Sequence, residues 1–154
     1  MSKVEMNDIY LIGLALKTKT VNSNGQSGFD CGNLWQEFEK GNYLETIPNK
    51  LGVDIFGVYY QYEGDSTKPF SYFIGCKVKS NAQVPQGLES LTIPKGTYHK
   101  ITAKGKMPNC VANAWKEIWT SNIPRTHQID FEIYDERSKN WNDAEVDVYL
   151  SIEQ

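Results

Sequence analysis

Glu132 is the residue of this chain best placed to do chemistry. It lies in Ile129-Asp130-Phe131-Glu132-Ile133-Tyr134, where strand alternation puts it on one face with Asp130 and Tyr134. The apolar row Ile129, Phe131 and Ile133 occupies the other face and suits packing under a helix. Periodicity alone leaves two readings of the Glu132 face. Either it meets water, or it lines a groove and holds the carboxylate partly out of solvent. A desolvated carboxylate gains affinity for protons unless a cation arrives, so the second reading makes Glu132 a selective anchor for positively charged ligands.

The aromatic supply is the second feature. The chain has nine tyrosines, six phenylalanines and four tryptophans, and one hairpin collects Tyr59, Tyr60, Tyr62, Phe70, Tyr72 and Phe73 on both its faces. One face must be core. The other is either a wall of rings for flat or cationic molecules, at about 0.5–2 kcal/mol per contact, or plain cross-strand pairing. Trp35, with Phe38, and Trp115 recur at helical spacing, which suits core residues that can also wall a pocket. The expected ligand-binding set is Glu132, Tyr59, Tyr72, Trp35, Phe38, Trp115 and Tyr134, with no catalytic residue unless Glu132 is one.

Other chemistries leave no trace in the sequence. It has no glycine-rich phosphate loop, nucleophile elbow, paired-histidine metal helix or dinucleotide fingerprint. Cys31, Cys76 and Cys110 are odd in number and widely spaced, which suits buried or idle thiols better than a disulfide framework or zinc site. His99 and His127 read as single surface positions on strands. No cofactor and no metal are expected.

The bulk numbers fit one soluble domain spanning residues 1–154. The composition is 40% hydrophobic and 23% charged, and the formal charge is -3. The lysines are scattered, so no basic face is available for direct nucleic-acid binding. No apolar run approaches the roughly 20 residues of a membrane span, and Met1 to Asp8 lacks the layout of a signal peptide. A cytoplasmic protein without a membrane partner is expected.

The elements that must position these residues occur twice, in pseudo-repeats of about 1–80 and 81–154. Each repeat reads strand, helix, strand, strand. The first has a long strand over 4–20, a helix capped by Asp30 and ended by Gly41, and a hairpin of 55–62 and 70–78. The second has a long strand from Leu88 to Ala103, bent at Pro94-Lys95-Gly96, then a helix opened by Pro108 and stopped by Pro124. A hairpin of 126–136 and 144–153 closes it. The predicted fold is α+β, with about eight mostly antiparallel strands, two main helices and a central ligand groove between the modules.

In this order and spacing the chain resembles the GyrI-like family of small-molecule-binding domains, which includes the effector-binding domains of AraC-type and MerR-type bacterial regulators. The carrying segments are Leu34-Trp35-Gln36-Glu37-Phe38, Val58-Tyr59-Tyr60-Gln61-Tyr62, Tyr72-Phe73-Ile74-Gly75-Cys76, Ala114-Trp115-Lys116-Glu117-Ile118-Trp119, Asp130-Phe131-Glu132-Ile133-Tyr134 and Val146-Asp147-Val148-Tyr149. The resemblance implies a groove that takes amphipathic, often cationic compounds, with Glu132 in the position of the family's groove glutamate. The regulators' DNA-binding segment has no counterpart here. The expected function is therefore a stand-alone bacterial protein that senses or sequesters such compounds, any gene control lying with a separate regulator protein. Two alternatives follow from the same resemblance: a hydrolase of strained, cyclopropane-type molecules with Glu132 as acid/base, and a protein-binding inhibitor module.

Overall fold

The strands of this protein form one continuous antiparallel sheet, seen in a computed structural model that describes residues 2–153. In chain order they are β1 (Ser2–Met6), β2 (Ile9–Ala15), β3 (Ile55–Tyr60), β4 (Ser71–Val78), β5 (Glu89–Ile93), β6 (Gly96–Gly105), β7 (Arg125–Tyr134) and β8 (Ala144–Ile152). The helices are α1 (Gln26–Lys40), a single turn α2 (Tyr43–Thr46) and α3 (Asn109–Trp119). The strand order is β1-β6-β8-β7-β3-β4-β2-β5. Read outward from the centre, β7-β8-β6-β1 matches β3-β4-β2-β5 strand for strand. The β3/β7 pair is thus the seam between two like halves.

Two long strands expected from the sequence are each two strands. The stretch over 4–20 breaks at Asn7-Asp8, so that β1 pairs with β6 while β2 pairs with β4 and β5. The stretch from Leu88 breaks at Pro94-Lys95 instead of bending there. Each half thereby lends its first strand to an edge of the other. The two breaks are tied together, because the Lys95 backbone N–H donates to Asp8 Oδ1 at 2.6 Å.

Helix α1 buries Leu34 and Phe38 against Ile12, Leu14, Ile74 and Cys76. Helix α3 buries Val111, Ala114, Trp115 and Ile118 against Val146, Val148 and Leu150. Each large apolar side chain removed from water in this way contributes about 1.5–3 kcal/mol. Asp30 is not the cap of α1. The helix starts four residues earlier, after Gly25 in the left-handed conformation (φ 71°), and Asp30 lies inside it. There its carboxylate accepts from Thr20 Oγ1 at 2.6 Å and Gln26 Nε2 at 2.9 Å.

The face assignment on β7 is also corrected. Phe131 packs away from the helices, in a second core with Leu11, Phe56, Val58, Phe73, Tyr98 and Tyr149. Val4 and Met6 from one edge join Ile93 from the other in that core, so the sheet curls until its ends share one interior. Both faces of the sheet are covered, and Glu132 looks toward the helices.

Candidate functional site

At the seam, Gly57 of β3 stands opposite Glu132 of β7. A Cβ on Gly57 would lie 2.5 Å from Tyr72 Oη and 3.3 Å from Glu132 Oε1. The missing side chain is what lets the carboxylate and a phenol occupy the same layer, a close approach that glycine in a strand permits.

The Glu132 side chain has 0% solvent exposure. It accepts three hydrogen bonds, all from aromatic side chains. Trp115 Nε1 donates to Oε2 at 2.6 Å, Tyr59 Oη to Oε2 at 2.9 Å, and Tyr134 Oη to Oε1 at 2.7 Å. Strand alternation brings Tyr134 to the same face as Glu132, and the β3/β7 pairing brings Tyr59 alongside. Trp115 arrives from above, on the apolar stripe of α3.

These rings continue into a belt. The Tyr59 centroid lies 4.8 Å from that of Tyr72 and 4.9 Å from that of Trp115. Trp35 meets Tyr134 edge-on at 4.8 Å and donates its indole N–H to Tyr72 Oη at 2.9 Å. The belt surrounds an inner chamber of about 330 Å³, roofed by Gly28, Cys31, Gly32 and Trp35 of α1 and walled by Tyr59, Tyr72, Trp115 and Tyr134. Five of the seven expected residues therefore line one cavity. Glu132 lies behind the rings and is not among the lining residues. Phe38 is 1% exposed, packs in the core under α1 and does not line the chamber.

Burial pushes the Glu132 carboxyl above the usual carboxylate range, and the bonds from Trp115, Tyr134 and Tyr59 partly oppose that rise. Tyr59, Tyr72 and Tyr134 are driven well above the usual phenol range, first by burial and then by the Glu132 charge. They remain protonated donors at any ordinary pH. Cys31 is raised by burial, then by Glu132 and Asp30, which leaves its thiol unreactive. Among the described residues, no Lys, Arg or His forms an ion pair with Glu132.

The neighbouring acid on the same face has its own cation. Arg125 Nη2 lies 2.7 Å from Asp130 Oδ2, and Tyr62 Oη donates to that oxygen at 2.6 Å. The Arg125 guanidinium carbon also sits 5.6 Å from the Trp115 ring centroid, so this compensated pair borders the chamber. His99 is buried, contrary to the surface position expected for it, and burial lowers its pKa.

Gly57, Arg125, Gly28, Gly32, Met107 and Pro108 belong to the site or its walls and were not expected from the sequence. Gly57 carried the one usable signal, since a lone glycine within a β-branched and aromatic strand marks close approach.

Comparison with known proteins gives a consistent picture. A family model described as Cass2, an integron-associated effector binding protein, matches residues 4–152. The Bacillus subtilis (strain 168) protein YobU, provisionally described as a transcriptional regulator, is 28% identical over 125 residues, covering 79% of this chain and 78% of YobU. An integron cassette protein from the mobile metagenome of Vibrio cholerae superposes with a TM-score of 0.75 at 24% identity, covering 99% of this chain and 95% of that one. The protein SAV2435, solved bound to tetraphenylphosphonium, superposes with a TM-score of 0.74 at 15% identity, covering 99% and 93%.

Proposed function

The chain belongs to the Cass2 family of integron-associated effector-binding proteins, and we propose that it is a receptor for small amphipathic cations, held in the chamber between α1 and α3. The observation that carries this reading is a fully buried carboxylate whose three partners are all uncharged. Its negative charge has donors but no counter-ion.

The carboxylate acts through the rings. A phenol or indole that donates to an anion is polarised, and electron density rises on its face. Tyr59, Tyr134 and Trp115 do this while lining the chamber. A cation lying against those faces gains the ring attraction and the unscreened field of Glu132, without displacing the carboxylate's hydrogen bonds. Neutral ligands of the same shape gain only the apolar contact. The tetraphenylphosphonium in SAV2435, a bulky aromatic cation, fits this chemistry. Titration calorimetry with a quaternary ammonium and its neutral isostere tests the reading, which expects the cation to bind more tightly.

A further inference from the structure

We infer that the binding site is longer than the inner chamber and takes cations carrying an extended hydrocarbon tail, which lies in a second chamber beyond Trp35 and Tyr134. This rests on the cation reading of the inner chamber. The outer cavity, about 650 Å³, lies at the other end of the β3/β7 seam, where Ile55 faces Tyr134. Gly28, Gly32, Trp35, Met107, Pro108 and Tyr134 line both cavities. The two spaces therefore share one waist, formed by a turn of α1 on one side and the start of α3 on the other.

The waist is open because of what α1 lacks. Gly28 and Gly32 are one helical turn apart, and a Cβ built on either meets nothing within 4 Å. Glycine inside a helix is less favourable than alanine, so the passage is kept clear against local helix preference. The outer walls suit hydrocarbon. Ile55 and Met107 lie inside, while Val53 is 76% exposed and Trp141 60% exposed at the far end, apolar surface that nothing in the fold covers. Of the three acids there, Asp135 pairs with Arg137 and Glu136 with Lys139, while Glu39 on α1 makes no ion pair among the described residues. A head fixed over the polarised rings directs its tail through the waist onto Trp141, where burying methylenes adds affinity without adding charge.

The test compares benzyltrimethylammonium with benzyldimethyldodecylammonium, the latter kept below its micelle concentration, on the full chain by calorimetry. The long cation is expected to bind about tenfold tighter or more, since burial of only a few methylenes gives that factor. Trp141→Ala should remove at least about a threefold share of that gain and leave the short cation unaffected. Gly32→Leu should weaken the long cation more than the short one while the thermal midpoint holds or rises, which separates a blocked waist from a damaged helix. Equal affinity of the two cations, or a tail gain untouched by both substitutions, overturns the inference. If the short cation fails to bind at all, the reading of the inner chamber falls instead. Binding of the long cation that still depends on Trp141 would even then support the outer chamber, and binding that ignores it would overturn it.

Discussion

Tyr59 and Glu132 come from opposite halves of the sheet, 73 residues apart, and meet at 2.9 Å across the seam. That bond, with those from Trp115 and Tyr134, turns a buried acid into a set of polarised rings facing a cavity. On the proposed reading, ligand selection is a property of the seam and belongs to neither half alone.

Proton release should accompany cation binding. Burial raises the Glu132 carboxyl in the free protein, and a bound cation favours its ionised form. Affinity for a quaternary ammonium should therefore climb with pH through the window above the ordinary carboxylate range, then level off. Calorimetry in buffers of different ionisation enthalpy should show protons leaving the protein within that window, and none with Glu132→Gln.

The same shift works against folding. Because the folded-state pKa lies above the unfolded one, the native chain holds more protons between the two values. The Glu132 contribution to stability is complete below the unfolded pKa and is lost as pH rises through the folded one. In urea unfolding across that window the slope of stability with pH should be more negative for the natural chain than for Glu132→Gln, which keeps the opposite trend from the acids held low (Asp65, Asp135 and Asp147) and from His99 and His127, whose pKa values burial lowers.

Trp115→Phe keeps most of the packing under α3 but deletes the 2.6 Å donor to Oε2. Removing one partner of a buried charged hydrogen bond costs about 1.5–3 kcal/mol, which chemical denaturation would register. The loss should shrink at low pH, where Glu132 is protonated, whereas a pure packing defect would not depend on pH.

Gly57→Ala and Gly28→Ala should move stability in opposite directions. The first places a methyl within 2.5 Å of Tyr72 Oη beside the carboxylate, an overpacking that costs roughly 1–3 kcal/mol. The second fills empty space on a helix and should add roughly 0.5–1 kcal/mol. Thermal unfolding of the two variants side by side checks both signs.

Arg125→Met should be more damaging than Gly57→Ala. It strips Asp130, which is fully buried, of its only ion-pair partner among the described residues and leaves its charge uncompensated in the interior. Breaking such a pair costs about 3–5 kcal/mol, and Asp130→Asn in the same chain should restore part of the loss.

Much of this architecture was legible from spacing. The stripes Leu34-Trp35-Phe38 and Val111-Trp115-Ile118 placed both main helices, and the aromatic hairpin placed β3 and β4. The orientation of β7 was not legible, because alternation tells faces apart without saying which one carries a helix. With both faces buried, the apolar row of Phe131 had an equally good home on the side away from α3. The break at Asn7-Asp8 lacks glycine and proline, so two strands that belong to distant parts of the sheet looked like one long strand. Gly28 read as linker because glycine is a poor helix former, yet it lies within α1 and faces the cavity. Phe38 shares a stripe with Trp35 but points one step deeper, into core.

The most direct measurement is the affinity of benzyltrimethylammonium against neopentylbenzene, its neutral isostere, for the natural protein and for Glu132→Gln. The natural protein should favour the cation, and the substitution should remove about 0.5–2 kcal/mol of that preference, the scale of a cation held against ring faces, leaving neopentylbenzene unchanged. A preference that survives intact in Glu132→Gln, or is absent from the natural protein, would contradict it.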